Sequence, residues 1–541
     1  MTDIDIARSI KAKHILKVAR KLGLNDDEIE QYGNYKAKIN LNEKRSGQGK
    51  LVLVTAINPT KAGIGKTTVS IGLADAFTLA KESVCLALRE PSLGPVFGTK
   101  GGATGGGYSQ IIPMEDINLH FNGDFHAITS ANNLLCSFVD NHIFQGNALN
   151  VDKVFIKRCL DVNERALRDV TLNSAGARKE EFIITSASEV MAVLCMAESL
   201  EDLKARLGNI LVAIDKQGRP LYARDFHAED AMTILLKDAI KPNLVQTLAG
   251  TPAIVHCGPF ANIAHGCNSV QATKLAISLA DYVITEAGFG ADLGAEKFID
   301  FKCRVSGLKP DCVVLVATIK ALKLHGGVKE DCLDAEDLTA LEKGLSNLLH
   351  HLKVIKDVYK LPVVVTLNKY TTDTPNEVSL VQKLCPENVV VNDVWAKGGY
   401  GAKELMSAVK DKCETKHVVD FAYNLNDSIE EKLNSLVKNV YGGKSIIFSD
   451  LAKDKIKLIN NLGYSKLPII VAKTQFSLSD KKDLIGAPKD FDVFVNDIEL
   501  RTGVGFIVAV CGNMLLMPAL GKNPAGINMK IGKNGLISGL F

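Results

Sequence analysis

The sequence has no apolar stretch long enough to span a membrane as a helix, which takes about 20 consecutive apolar residues. The most apolar late segment, residues 505–520, is interrupted by Gly512 and Asn513. Charged residues also break each apolar stretch near the N-terminus, so the apolar core of a signal peptide is missing there. These absences predict a cytoplasmic protein with no membrane partner.

An excess of charge of either sign is also lacking. The chain has 64 basic and 61 acidic residues, a formal net charge of +3, which predicts no nucleic-acid partner. Its twelve cysteines include no C-x-x-C pair. That spacing argues against a disulfide framework or a zinc site and is typical of buried cysteines in a reducing compartment.

Short, apolar, β-branched runs recur along the chain and alternate with helix-like stretches. These runs lie near residues 51, 84, 182, 253, 281, 312, 361, 388 and 467. Fully apolar strands separated by helices predict an α/β protein with a parallel sheet covered on both faces. Residues 2–45 are predicted to be helical. We predict three units: residues 1–355, 356–475 and 476–541.

A phosphate-binding loop is predicted directly after the first apolar strand. Its residues are Thr60, Lys61, Ala62, Gly63, Ile64, Gly65, Lys66 and Thr67. Glycines let backbone N–H groups face phosphates, Lys66 supplies a cation for the β- and γ-phosphates, and Thr67 can reach Mg²⁺. Thr60 stands where the usual pattern has glycine, so the loop is a variant. The structural alternative is a glycine turn that only links strand to helix.

A second metal-associated group is expected at Glu286, where the apolar run near residue 281 ends. ATPases carry an acidic residue at this position of a strand. Asp292 and Glu296 follow it. The alternative is that these carboxylates cap the next helix and complement its dipole.

Several longer motifs occur in one order along the chain. They are the glycine-rich residues 98–108, VATIKALKLHGG at 316–327, TEAGFGADLGAEKF, WAKGG and AKTQFSLSD. With these motifs the chain resembles formate–tetrahydrofolate ligases over essentially its whole length. It differs from the usual family pattern at Thr99, Thr104 and Lys320, and at Lys61 and Ile64 of the predicted loop.

The resemblance implies a large P-loop NTPase-like domain, two smaller α/β domains and a homotetramer. It also implies that formate is activated as formyl phosphate and that the formyl group passes to tetrahydrofolate, giving 10-formyltetrahydrofolate, ADP and phosphate. The expected ligands are ATP with Mg²⁺, formate and tetrahydrofolate. A monovalent cation is expected as well, but the sequence does not locate its site.

Three polar residues are candidates for handling the formyl phosphate. Arg89 follows the strand near residue 84, and a guanidinium can grip a phosphate bidentately. Its alternative is a surface arginine paired with Glu90. Asp124 and His126 could orient substrate or relay the amine proton, or could form a structural pair. His120 and His265 are weaker candidates.

Two aromatic residues are candidates for binding the pterin ring of the folate. Trp395, the one tryptophan, and Tyr370 each follow an apolar strand. Ligands bind at the carboxyl ends of strands in open α/β sheets, and flat rings stack on aromatic side chains. The family resemblance assigns both positions to the pterin, with phenylalanine usual at Tyr370. The alternative for each is a core aromatic.

Two other functions fit part of the sequence. An ATPase switch would explain the GKTT motif and the strand that ends at Glu286, but would not need Trp395 or the glycine-rich segment. A small-acid kinase would release an acyl phosphate instead of passing on its acyl group. Dependence on formate and tetrahydrofolate distinguishes these functions.

Overall fold

The computed structural model describes residues 1–40, 45, 47–98, 104–173, 177–512 and 514–540. It confirms the mixed α/β class. In chain order the strands are β1 Ile29–Gln31, β2 Ala37–Ile39, β3 Lys50–Ala56, β4 Val84–Leu88, β5 Gly105–Gly106, β6 Ser109–Ile112, β7 Val151–Val154, β8 Val170–Leu172, β9 Arg178–Glu180, β10 Leu211–Asp215, β11 Pro220–Tyr222, β12 Asn243–Thr247, β13 Pro252–Val255, β14 Tyr282–Glu286, β15 Cys312–Ala317, β16 Val363–Asn368, β17 Val389–Asn392, β18 Ser445–Phe448, β19 Ile469–Ala472, β20 Asp492–Arg501, β21 Phe506–Cys511, β22 Lys530–Ile531 and β23 Ile537–Ser538.

The α-helices lie between these strands. In chain order they are α1 Asp3–Ser9, α2 Ile15–Lys21, α3 Lys66–Leu79, α4 Leu93–Phe97, α5 Met114–Asn118, α6 Asp124–Phe144, α7 Glu189–Met196, α8 Leu200–Gly208, α9 Glu229–Leu236, α10 Val270–Leu279, α11 Arg304–Ser306, α12 Ile319–His325, α13 Leu338–Lys353, α14 Pro375–Leu384, α15 Val394–Lys397, α16 Lys403–Cys413, α17 Ile429–Leu436 and α18 Asp450–Asn461. Among the described residues, no helix is long and apolar enough to cross a bilayer.

One large sheet organises the fold. Its main path runs β1-β2-β12-β13-β4-β14-β3-β15-β16-β17. From β13 to β17 every neighbouring pair is parallel, whereas the pairs from β1 to β13 are antiparallel. The central strands β3 and β15 are almost wholly buried. Burial on both faces explains why they read as unbroken apolar runs.

Most of the predicted strands are confirmed, but the apolar run at residues 182–185 is not one. Its backbone N–H groups bond to three separate segments instead of one neighbouring strand. Phe182 donates to the carbonyl of Leu167 at 2.8 Å, and Ile184 donates to that of Leu516 at 3.0 Å. Ile183 and Ile184 are buried. The run is therefore apolar because it fills a core, and not because it lies in a sheet.

The prediction of a helical N-terminus is partly wrong. Helices α1 and α2 form, but β1 and β2 follow them. Strand β2 pairs with β12 of the large sheet, where Lys38 lies opposite Asn243. Pairing with a distant strand overrides the local helical preference here.

The division into three units stays a prediction. Strands β16 and β17 continue the large sheet beyond residue 355. A separate sheet of order β18-β20-β21-β19 spans residues 445–511, on both sides of the predicted boundary at 475. Asp292 and Lys473 join distant parts of the chain through a fully buried ion pair of 2.6 Å.

Candidate active site

The predicted site residues gather at one edge of the large sheet. Because neighbouring strands from β13 to β17 are parallel, their carboxyl ends meet there. The segments that leave this edge carry Arg89 after β4, Glu286 at the end of β14, the predicted phosphate loop after β3, Tyr370 after β16 and Trp395 after β17. This is the edge at which open α/β sheets bind ligands.

The predicted phosphate loop is a tight turn that leads directly into α3. Thr60 and Gly63 are joined by two hydrogen bonds, from the Gly63 N–H to the Thr60 carbonyl at 3.0 Å and from the Thr60 hydroxyl to the Gly63 carbonyl at 3.1 Å. Gly63 and Gly65 have φ angles of 89° and 78°, which favour glycine. Helix α3 begins at Lys66, so its N-terminal N–H groups and dipole lie at the end of the loop.

A polar chain runs from this helix across the sheet edge. The Thr67 hydroxyl donates to Glu286 Oε2 at 2.9 Å, and Glu286 Oε1 lies 3.9 Å from Arg89 Nη2. Arg89 also donates to the carbonyl of Pro259 at 3.2 Å. Its side chain is 19% exposed, and its Nε is buried without a hydrogen-bond partner among the described residues. Arg89 is therefore paired with Glu286, and the alternative of a surface arginine paired with Glu90 is wrong.

The two acids that follow Glu286 have other surroundings. Asp292 pairs with Lys473, and both are fully buried. Both carboxylate oxygens of Glu296 are buried without a described hydrogen-bond partner, and burial raises the pKa of Glu296 well above its usual range. Both acids are fully buried, so neither presents its carboxylate to solvent at the sheet edge. Thr67 and Glu286, in contrast, bring two oxygen atoms together, and oxygen ligands are those that Mg²⁺ prefers.

Trp395 is not a core residue, because it is 48% exposed. One side of it lies against the glycine-rich segment. The Tyr108 N–H donates to the Trp395 carbonyl at 2.8 Å, and a Cβ added to Gly107 would lie 2.8 Å from Trp395 Cγ. Gly107 therefore makes room for the indole. About half of the residue stays exposed to solvent.

Tyr370 is half-buried at the end of the neighbouring strand. Its N–H donates to Asp373 Oδ2 at 2.8 Å. The Lys320 ammonium lies 5.0 Å from the centre of the phenol ring and 2.6 Å from Asp334. One face of Tyr370 thus has a cation as its neighbour.

Comparison with known proteins identifies the relatives of this chain. A model of the family described as formate–tetrahydrofolate ligase matches residues 1–541. A formate–tetrahydrofolate ligase of Campylobacter concisus (strain 13826) is 54% identical over 548 residues, covering 100% of both chains. The chain belongs to the formate–tetrahydrofolate ligase family. It is a ligase enzyme, and membership supports the joining of formate to tetrahydrofolate.

Two residues that depart from the usual ligase pattern have different surroundings. Lys61 is 79% exposed on its side chain and forms an ion pair with Glu330, which also accepts a hydrogen bond from the Lys61 N–H at 3.3 Å. Ile64 is buried. Of these two side chains, only that of Lys61 is open to solvent at the loop.

Asp124 has structural partners at the first turn of α6. Its Oδ1 lies 2.8 Å from the Lys38 ammonium, and its Oδ2 accepts a hydrogen bond of 2.7 Å from Asn243. Both members of the Lys38–Asp124 pair are buried. His126, further along the same helix, is exposed. The ion-pair partner of Asp124 is therefore Lys38, and not the nearby histidine.

The remaining histidine candidates are divided by burial. His120 is exposed, whereas His265 is fully buried and its Nε2 lies 3.1 Å from Cys195 Sγ. Buried Glu90 lies beside Arg89 in sequence, and burial together with the charge of Asp124 raises its pKa well above the usual range. His265 and Glu90 are both enclosed by the protein.

Sequence reasoning missed two residues that contact the predicted site. They are Lys38, which pairs with Asp124, and Asn368, which donates to the carbonyl of Ile64 at 2.9 Å. The only signal for Asn368 was its polar side chain at the end of an apolar strand. Of the glycine-rich signature, residues 99–103, including Thr99, lie outside the described residues. Thr104 is buried and accepts a hydrogen bond of 3.1 Å from Asn118.

Proposed function

We propose that this ligase uses ATP to activate formate as formyl phosphate and then passes the formyl group to tetrahydrofolate. The observation that carries the proposal is the pair of contacts made by Glu286. Its Oε2 accepts a hydrogen bond of 2.9 Å from the Thr67 hydroxyl, and its Oε1 lies 3.9 Å from Arg89 Nη2. These contacts connect the start of α3 to a guanidinium. A nucleotide held at α3 would thereby have its terminal phosphate near the Arg89 guanidinium, which is suited to grip an acyl phosphate.

In the first step, a formate oxygen attacks the γ-phosphorus of ATP. An O–P bond forms, the bond to the bridging oxygen breaks, and ADP leaves. Residues 60–67 form the phosphate-binding loop of a P-loop NTPase-like domain, and Lys66 neutralises charge on the transferring group. Thr67 and Glu286 would hold Mg²⁺, which neutralises phosphate charge when it is bound.

In the second step, the N10 amine of tetrahydrofolate attacks the formyl carbon. A C–N bond forms, the C–O bond to phosphate breaks, and the amine loses a proton. Arg89 holds the phosphate and stabilises the oxyanion that develops on the formyl group. His126 is exposed and accepts the amine proton, while Asp124, bound to Lys38 and Asn243, orients the first turn of α6.

The pterin ring lies between Trp395 and Tyr370. The two residues follow the neighbouring parallel strands β17 and β16, so they leave the sheet at the same edge. The exposed indole offers a flat apolar face, and stacking on an aromatic ring favours a planar heterocycle.

The family supports two proposals that concern the whole protein, a homotetramer and a response to monovalent cations. We also propose a cytoplasmic location and a division at residues 355 and 475, both of which come from the sequence. Sedimentation and limited proteolysis test the assembly and the division. Turnover measured in potassium and in a large organic cation tests the response.

Steady ADP release under four conditions tests the proposed function. Purified enzyme receives ATP and Mg²⁺ alone, with formate, with tetrahydrofolate, or with both. A ligase releases ADP steadily only with both, a small-acid kinase needs formate alone, and an ATPase switch ignores formate. Lys66→Ala is the control for the loop and should lose about 3 kcal/mol or more of transition-state stabilisation. Near-normal turnover by folded Lys66→Ala protein would reject the loop assignment.

A further inference from the structure

Asn368 is the last residue of β16 and contacts the predicted phosphate loop, which follows β3. Strand β15 lies between these two strands in the sheet. Its Nδ2 donates to the carbonyl of Ile64 at 2.9 Å, and the residue is only 5% exposed. The contact joins residues that lie far apart in sequence, so the sheet brings the amide to the loop. Neither the loop motif nor the family signatures include Asn368.

The contact fixes the direction of one peptide group in the loop. In a trans peptide the C=O and the N–H point in opposite directions. The Ile64 carbonyl turned toward Asn368 therefore turns the Gly65 N–H away from it. A loop that binds phosphate needs its N–H groups to share one side, so the orientation of this peptide matters for binding.

Gly65 gives Asn368 the space for this contact. Its φ of 78° lies in the left-handed region, and a Cβ at this position would lie 2.6 Å from Asn368 Nδ2. The amide nitrogen thus occupies space that only glycine leaves open. The other amide atom, Asn368 Oδ1, is buried without a hydrogen-bond partner among the described residues.

We propose that Asn368 is a positioning residue for nucleotide binding, and that it holds the Ile64–Gly65 peptide with its N–H toward the phosphates. The proposal rests on the proposed function, because it takes residues 60–67 as the nucleotide loop. Asn368 also lies just before Tyr370 on the chain. The end of β16 therefore leads from the contact with the nucleotide loop to the candidate pterin residue.

The chain offers a matched control in Asn392. This residue lies opposite Asn368 in the register of β16 and β17 and is also buried. Its Nδ2 donates to the Thr366 hydroxyl at 2.9 Å, within the sheet, and its Oδ1 also has no described partner. Substitution at either position disturbs the same two strands, but only substitution of Asn368 releases the loop.

The test compares Asn368→Asp and Asn368→Leu with Asn392→Asp and Asn392→Leu. For each protein, calorimetry gives the affinity for ADP, tetrahydrofolate titration gives the change in Trp395 fluorescence, and thermal unfolding gives Tm. Asp keeps the shape but loses the donor, and Leu removes both polar atoms. We expect the Asn368 variants to bind ADP about tenfold more weakly or worse, with folate binding kept. The Asn392 variants should bind ADP within about twofold of the wild type.

The proposal is overturned if Asn368 variants bind ADP as well as Asn392 variants do. It is also overturned if their ADP affinity, folate response and Tm fall together as in the controls, since a purely structural residue would give that result. Turnover of the wild-type enzyme reports separately on the proposed function. A wild-type enzyme that binds ADP but does not use ATP with formate and tetrahydrofolate would reject that function, while the ratio of ADP affinities would still decide the role of Asn368.

Discussion

Thr67 and Glu286 are joined by a hydrogen bond of 2.9 Å that connects the first turn of α3 to the last residue of β14. Two strands adjacent in the sheet, β3 and β14, bring them together. The carboxylate of Glu286 also faces Arg89, so one acid links the predicted nucleotide loop to the guanidinium.

Arg89→Lys should impair formyl transfer. Lysine keeps the charge but lacks the planar fork that binds phosphate in a bidentate way. We expect kcat to fall by about two orders of magnitude, because a donor to the developing oxyanion is lost, while ADP affinity stays near that of the wild type. Steady-state kinetics and calorimetry measure the two effects.

Arg20→Lys is the control for this substitution, since Arg20 is exposed and pairs only at the surface with Asp26 among the described residues. It should leave turnover unchanged. If Arg89→Lys lowered ADP affinity as strongly as it lowered formyl transfer, Arg89 would belong to the nucleotide site and not to the acyl phosphate.

The sequence predicted the sheet well where strands are buried on both faces. The run Cys312–Ala317 is unbroken and apolar because no side of β15 faces water. The same signal failed at residues 182–185, since a core-filling loop and a buried strand have the same composition. Strand β2 was missed because its pairing with β12 depends on residues far along the chain.

Among the candidate site residues, sequence reasoning named groups but not their partners. GKTT predicts the loop through local geometry, and Glu286 is named from its place at a strand end. Asn368 contacts the loop only because β16 and β3 flank β15, which no local pattern encodes. The packing of Trp395 likewise depends on Gly107 from a distant segment.

Trp395→Leu should weaken tetrahydrofolate binding and leave ATP and formate handling nearly intact. Trp395 is 48% exposed, so removal of its indole should change the free energy of unfolding by little. Stacking contributes about 1 kcal/mol beyond burial, which is lost with the ring. Because the chain has one tryptophan, titration of the wild type with tetrahydrofolate should change its emission saturably, after correction for ligand absorption.

Tyr400→Leu removes another exposed aromatic and serves as the control for Trp395→Leu. It should keep full folate affinity. An emission spectrum that stays constant during the titration, together with a Trp395→Leu protein that melts far earlier and loses every ligand, would make Trp395 a structural residue.

Lys38→Met should destabilise the protein by about 3–5 kcal/mol, because it leaves Asp124 buried without its cation. Lys36→Met is the matched control on the same segment. The side chain of Lys36 is 15% exposed, pairs with Asp116 and donates to the carbonyl of Phe121 at 3.1 Å. Because Asp116 is 48% exposed and stays solvated when its partner is removed, Lys36→Met should cost less than Lys38→Met. Urea unfolding measures both values. Equal effects of the two substitutions would show that Asp124 does not depend on Lys38.

Asp75 should make stability fall as the pH rises. It lies in α3 and accepts hydrogen bonds from Thr247 at 2.5 Å and Thr251 at 2.6 Å. Burial raises the pKa of Asp75 from 3.8 to about 7. A raised carboxyl pKa means that the folded state binds the proton more tightly, so this stabilisation is full below pH 3.8 and is lost as the pH rises through about 7.

Asp75→Asn keeps the acceptor and removes the titration. The difference in free energy of unfolding between wild type and variant should therefore fall between about pH 4 and 7, by at most about 1.4 kcal/mol per pH unit. Urea unfolding of both proteins across this range measures it, and other groups cancel in the difference. A constant difference would mean that Asp75 is already ionised in the folded protein.

The fate of the formate oxygens tests the central claim most directly. Formate labelled with heavy oxygen is converted together with ATP and tetrahydrofolate, and the inorganic phosphate is analysed by mass spectrometry. Passage through formyl phosphate predicts that one formate oxygen leaves with each phosphate, because the O–P bond made in the first step persists when the C–O bond breaks. Unlabelled phosphate, formed along with formylated folate, would contradict the account.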